Sequence, residues 1–366
     1  MLGQPAGTPL VLGQPAPSGS DLGAVSCPDP SHCWAVGVAG PDTGPASPAT
    51  VIVATKDGGN HWTPQPVTGA FIPQLSAVSC PDRTHCMAVG SNGASVPGSG
   101  VVFTTDDGGT TWRQAAAPPG VLTIGTVVCP TRSQCTVVVN DGAAVWSARS
   151  MDFGGTWQRL GNLPAGFVGT NAMSCALGGP CLIAGYVATG TGHGAGAIAL
   201  SPDAGQTWTL GTVPGGIGLL QDATCLSASE CLAVGSTSTT VSDVVPALGQ
   251  LLRSSDAGHT WAVAPAPPVA GYGVACPSAR VCAIVGATWT GNPAVGRGAV
   301  AQSRGAGVTF KESTSAYVPF PLTAVDCPTA ARCVAVGGAT LARITLLPPA
   351  TRHGAPPSGT SGSPRA

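Results

Sequence analysis

Lysine and glutamate are nearly missing from this sequence: Lys56, Lys311, Glu230 and Glu312 are the only ones in 366 residues. Charged residues of all kinds reach 8%, and the formal net charge is −1. A chain this poor in cations cannot build the basic surface that nucleic acid or an anionic membrane requires, so neither is expected as a partner. Long apolar runs are missing too. Gly, Pro, Ser or a charge interrupts every stretch before about 18 residues, which excludes a membrane-spanning helix. Nowhere do apolar residues recur with a helical period. Disorder of the whole chain is not expected either, because 43% of the residues are hydrophobic.

Cysteine, in contrast, is plentiful and regular. The 14 Cys form seven pairs, each with five residues between partners. The pairs are Cys27 with Cys33, Cys80 with Cys86, Cys129 with Cys135, Cys175 with Cys181, Cys225 with Cys231, Cys276 with Cys282 and Cys327 with Cys333. Their first members lie 53, 49, 46, 50, 51 and 51 residues apart. A period of about 50 that carries strand-like segments predicts propeller blades. In each unit a short apolar run enters the first Cys, and a second run leaves the partner and ends in Gly, as in Cys86-Met87-Ala88-Val89-Gly90. A third runs into an Asp-Gly turn, and a fourth follows it. The expected fold is all-β: a single seven-bladed β-propeller of four-stranded blades, with strands a to d in each.

Turn formers fill the gap between paired Cys, as in Pro28-Asp29-Pro30-Ser31-His32. A tight a–b hairpin brings the two Cα atoms within disulfide reach. The spacing lacks the short Cys-x-x-Cys step of zinc sites and no His pairs recur, so one disulfide per blade is expected, and no metal. Seven disulfides imply an oxidising, extracytoplasmic location, secreted or in the cell envelope, although no export signal is visible in this sequence.

A second motif repeats as Ser/Thr-x-Asp-x-Gly-x-x-Trp. It runs Thr55, Asp57, Gly59, Trp62; Thr105, Asp107, Gly109, Trp112; Ser150, Asp152, Gly154, Trp157; Ser201, Asp203, Gly205, Trp208; and Ser254, Asp256, Gly258, Trp261. A sixth copy has decayed to Ser303, Gly305, Gly307 and Phe310. These residues resemble the Asp-box, or bacterial neuraminidase repeat. With runs such as His32-Cys33-Trp34-Ala35-Val36-Gly37, the unit also resembles the blades of photosystem II assembly-factor-like propellers. The resemblance spans about residues 22–347. A carboxylate repeated on five blades cannot converge on one substrate, so the box Asp and Trp residues are read as structural.

The seventh unit has no box and no strand d. An unpaired extended segment, residues 9–14, is expected to supply that strand, which makes 1–347 one closed propeller and leaves 348–366 as a Pro/Gly/Ser tail without order. In a propeller the a–b and c–d turns share one face, which therefore carries the Cys hairpins and Asp-boxes. The b–c and d–a connections share the other, variable face, where ligand sites are more often placed.

Sorting residues between the faces leaves Phe71, Asp141, Phe167, Tyr186, His193, Asp243, Tyr272, Trp289, Asn292, Arg297 and Phe320 as candidate ligand-binding residues on the variable face. Aromatic residues in Gly/Ser/Pro loops suit a protein or glycan ligand. The neuraminidase resemblance implies an arginine cluster and a Tyr/Glu pair, but only Arg297 falls in a variable-face loop. The two lysines likewise cannot rebuild the basic patch that the assembly-factor resemblance implies. The expected function is therefore that of a monomeric, non-enzymatic propeller that binds a protein partner or a cell-envelope glycan, with no cofactor and no catalytic residue. The alternative is a glycoside hydrolase of the Asp-box propeller type, either sialidase-like or acting through two carboxylates drawn from Asp42, Asp141, Asp222 and Asp243.

Overall fold

The structure is a computed structural model describing residues 10–346, apart from 14–15, 18, 40–48, 68–73, 176–179, 240–247, 291–294, 304, 306 and 314–317. Seven four-stranded antiparallel sheets form the blades of one propeller. The inner strands are Ser20–Ser26, Gln74–Ser79, Thr123–Val128, Phe167–Cys175, Leu220–Cys225, Ala270–Ser278 and Ala324–Thr329. Neighbouring inner strands pack side by side, and the last returns to the first. In blade 7 the outermost strand is Leu10–Leu12, paired antiparallel with Thr340–Thr345 so that Leu10 faces Ile344.

Each inner strand of blades 1 to 6 slips its register at the residue four positions before the first Cys: Gly23, Ser76, Gly125, Asn171, Gln221 and Tyr272. Such a bulge bends the strand and re-aims the side chain it carries. It also explains the Gly that closes strand b. A Cβ on Gly90 would lie 1.8 Å from the carbonyl oxygen of Gln74, and one on Gly286 would lie 1.8 Å from that of Ala270. Only a residue without a side chain admits so close a backbone. Blade 3 carries Val139 at this position instead.

The core is divided into seven layers, one between each pair of consecutive blades. Trp34, Val36 and Ile52 of blade 1 meet Leu75, Phe103 and Trp112 of blade 2. The ring closes where Val334, Val336 and Leu341 meet Leu22, Val53 and Trp62. Buried rings such as Trp34 and Trp112 remove about 200 Å² each from water, roughly 5 kcal/mol before chain entropy is counted.

Every expected Cys pair is bridged within its own blade. Cys27 joins Cys33, Cys80 joins Cys86, Cys129 joins Cys135 and Cys175 joins Cys181. Cys225 joins Cys231, Cys276 joins Cys282 and Cys327 joins Cys333. The Cα–Cα distances are 3.9–4.1 Å. Hairpin and Asp-box lock together. The amide after the box Asp donates to a hairpin carbonyl in four blades: Gly58 to Ser31 (2.9 Å), Gly108 to Thr84 (2.9 Å), Phe153 to Ser133 (2.9 Å) and Ala257 to Ser229 (2.8 Å). Among the described residues no helix is long and apolar enough to cross a membrane.

Candidate functional site

The Asp-box carboxylates are consumed by their own turns. In blade 2, Oδ1 of Asp107 accepts from the Thr105 hydroxyl (2.8 Å) and the Thr111 amide (2.9 Å), and Oδ2 accepts from the Thr111 hydroxyl (2.6 Å). Asp152, Asp203 and Asp256 repeat this with Thr156, Thr207 and Thr260. In blade 1, His61 stands in for the threonine, its Nδ1 2.6 Å from Asp57. The hydroxyl and amide of Thr111 hold Asp107 down to about 2, and those of Thr260 do the same for Asp256. Such carboxylates have no basicity to spare for catalysis. Trp62, Trp112, Trp208 and Trp261 are buried between blades, while Trp157 is half-buried and donates from Nε1 to the Ala116 carbonyl, 2.7 Å away.

The inner strands enclose a central channel of about 410 Å³. Two kinds of polar bridge run along its wall from one blade to the next. The residue four positions before the first Cys donates to a carbonyl of the following blade: Ser76 to Ile124 (2.7 Å), Asn171 to Leu220 (2.7 Å) and Thr323 to Leu22 (2.9 Å). The residue immediately before the first Cys accepts from the first Cys amide of the following blade. Ser26 takes that of Cys80 (3.1 Å), Ser79 that of Cys129 (2.9 Å) and Asp326 that of Cys27 (2.7 Å). Asp222 makes a related bridge, with Oδ1 accepting from the Ala223 amide (2.8 Å) and Oδ2 from the Val274 amide (2.8 Å).

Asp222 and Asp326 are half-buried and line the same channel. Burial, with a further push from the Asp326 charge, raises Asp222 to about 7 against the pull of the Val274 and Ala223 amides. Burial also raises Asp326, against the amides of Cys27 and Cys327. Sequence reasoning singled out Asp222 only as one of four possible carboxylates and passed over Asp326. The signal was there: Asp326 stands directly before a first Cys, where other units have Ser26, Ser79 and Ser174.

On the variable face a second cavity of about 390 Å³ lies over blades 1 to 3 and shares Gly23, Ser76 and Thr323 with the channel. Asp21, Gln74 and Thr123 form its exposed rim. A third cavity of about 400 Å³ lies between blades 3 and 4, lined by Asn140, Asn162 and Phe167.

The sequence-predicted residues do not gather at one point. Tyr186 and His193 belong to a long b–c hairpin of blade 4, Cys181–Gly190 and His193–Ser201. The ring of Tyr186 lies against Gly169 and Gly194, and burial raises its hydroxyl above the ordinary tyrosine value. His193 is exposed, its Nδ1 3.5 Å from the Thr239 hydroxyl of blade 5. Trp289 and Arg297 belong to the matching hairpin of blade 6, where Trp289 packs on Gly296 and Arg297 is exposed. Blade 5 stands between these hairpins. Tyr272 is not a loop residue: it is the bulge residue of its inner strand, half-buried in the channel wall.

Asp141 orders its own turn. It accepts from the Ala143 and Ala144 amides (2.9 and 2.8 Å) and from Trp146 Nε1 (2.8 Å), with Arg159 stacked 4.2 Å from the Trp146 ring centre. Phe167 is 3% exposed and belongs to the core, whereas Phe320 is 49% exposed. Phe71, Asp243 and Asn292, with Asp42, lie outside the described residues.

Comparison with protein-family models and with curated proteins finds no match. Solved structures do match. YCF48 bound to a D1 peptide superposes with TM-score 0.65 at 17% identity, covering 92% of this chain and 97% of that one. A GH74 enzyme from Niastella koreensis gives 0.52 at 13% identity over 87% of this chain and 64% of that one. A Hadza microbial sialidase gives 0.52 at 14% identity over 81% and 66%. At these identities the likeness is one of fold alone: the chain is a seven-bladed propeller with Asp-box motifs, similar in fold to these YCF48, GH74 and sialidase structures.

Proposed function

We propose that this propeller is a non-enzymatic, extracytoplasmic binding protein whose variable face takes up an extended segment of a partner protein. The observation that carries the reading is the cavity of about 390 Å³ at the channel mouth, open on the variable face and rimmed by neutral polar groups with a single carboxylate, Asp21. Apolar side chains stand exposed in the variable-face segments of several blades: Val96, Val168, Leu248 and Phe320 are 44–76% exposed. An apolar surface with a polar, hydrogen-bonding centre suits a peptide. The peptide seen on YCF48 gives the reading a precedent on the same fold. Seven disulfides among the described residues, with no free cysteine, support a compartment outside the cytoplasm.

Hydrolysis is less well supported. A glycosidase needs two carboxyl groups flanking an open sugar site. Asp141 is tied into its turn, and Asp222 and Asp326 are tied to backbone amides inside the channel. The test is selection of random heptapeptides on the folded chain, followed by affinity measurement on variants from each face. Selected peptides should lose at least tenfold in affinity with Phe320→Asp or Leu248→Asp and bind Asp107→Ala unchanged. Peptides that bind all variants alike, or hydrolysis across a panel of chromogenic glycosides and xyloglucan, would sink the proposal.

A further inference from the structure

Among the described residues, the channel wall holds carboxylates but no cation. From all seven inner strands, Asp222, Asp326 and Tyr272 are the only titratable side chains described as lining it, since Cys276 and Cys327 are tied up in disulfides. No Lys, Arg or His among the described residues faces the two acids from any blade. Negative charge placed among low-dielectric walls without a partner is costly unless something positive joins it. A second, independent feature points the same way. Thr126 is 4% exposed, lines the same cavity, and its hydroxyl has no hydrogen-bond partner. It stands three residues before its first Cys, as Asp222 does in blade 5. A buried hydroxyl left without a partner marks a place where a donor or acceptor is missing.

We propose that the channel is the receptor for one cationic side chain, the guanidinium of an Arg or the ammonium of a Lys, carried by the segment that docks on the variable face. This deepens the binding reading above and rests on it. Space permits it: about 410 Å³ is within the span of about 300–1,000 Å³ usual for ligand pockets, and the channel shares Gly23, Ser76 and Thr323 with the cavity on the variable face. Chemistry permits it too. Each carboxylate is fixed by backbone amides yet keeps unused lone pairs, and a cation that only donates hydrogen bonds matches acceptors that only accept. A bound metal ion is a poorer match, because among the described residues no three His, Cys, Asp or Glu side chains converge.

Protonation should oppose such a ligand. With Asp222 raised to about 7 and Asp326 raised as well, acid neutralises the receptor before it disturbs the Asp-boxes.

The test uses the full, oxidised chain and four capped tripeptides, Gly-X-Gly with X as Arg, Lys, Gln or Glu, titrated by calorimetry and by chemical-shift perturbation. At pH 8.5 the Arg or Lys peptide should bind at least tenfold more tightly than the Gln peptide. That preference should vanish at pH 5 in the unmutated chain, a readout independent of any folding defect. Asp222→Asn and Asp326→Asn should each remove it at pH 8.5, and Thr126→Val should reduce it. Equal affinity for all four peptides, or a preference unchanged by pH and by both Asn variants, overturns the proposal. If heptapeptides from the selection bind Phe320-dependently but ignore Asp222, the cation site fails and the binding reading stands. If the Arg tripeptide binds while no heptapeptide does, the reverse holds.

Discussion

A carboxyl group whose affinity for protons is raised by burial holds its proton more tightly in the folded chain than in the unfolded one. For Asp222 this stabilises the fold fully below about pH 3.8, and the contribution is lost as pH rises through about 7. Asp107 and Asp256 act in the opposite sense, contributing above about 3.8 and ceasing to do so as pH falls through about 2. Thermal unfolding followed from pH 3 to pH 9 should therefore show a melting temperature that declines between about pH 4 and pH 7. Asp222→Asn should flatten that decline; a profile unchanged by the substitution would show that the channel carboxyl is not what titrates. A second effect at this scale concerns backbone strain. Ala204 and Ala257 adopt φ of 58° and 61° at the position where blades 1 and 2 carry Gly58 and Gly108. An L-residue held there costs about 1–2 kcal/mol, part of which glycine returns as chain entropy. Ala257→Gly should raise stability by about 0.5–1 kcal/mol in denaturant titrations.

The blade elements depend on contacts that no helix or strand propensity describes. The hairpin holds the box through one amide, the box holds its Trp between blades, and in every bulged blade but the third the inner strand packs against a glycine of its neighbour. Trp112→Ala, which empties a site 1% exposed, should cost about 3–5 kcal/mol by chemical denaturation while peptide binding survives in the folded fraction. Gly286→Ala should be at least as damaging, because its added carbon meets backbone that cannot move aside. If Gly286→Ala melts like the unmutated chain, the inner strand is free to unbulge.

This scale also shows what the sequence made legible. Turn chemistry and pairing of the Cys hairpins and Asp-boxes were readable, because their spacing repeats and the interactions are local. The wall bridges of Ser26, Ser79 and Asp326 were not, since each joins residues from different units and a single Asp among serines carries no periodic signal. Tyr272 was misplaced to the loops because a bulge, invisible in composition, puts it in the channel.

At the scale of the whole molecule, blade 7 joins the first described strand to the last. Leu10 is 2% exposed and packs in the layer with Val285, Val300 and Ala342. Deleting residues 1–14 should thus expose the edge of Thr340–Thr345 and cause aggregation or a marked fall in melting temperature. Truncation after residue 350 should change melting little. Equal tolerance of both deletions would show that Leu10–Leu12 is an appendage and not a fastener.

The seven bridges also differ from the ring in when they can form. Each cysteine finds its partner six positions along the chain, so no thiol has to wait for a distant segment to be made. Oxidation can proceed vectorially, unit by unit, while the outermost strand of blade 7 must stay unpaired until the last unit arrives. A nascent chain halted at any length should therefore already contain native bridges and almost no shuffled ones. Its need for disulfide isomerase should be slight, and its exposure to edge-to-edge association greatest just before the seventh unit is complete.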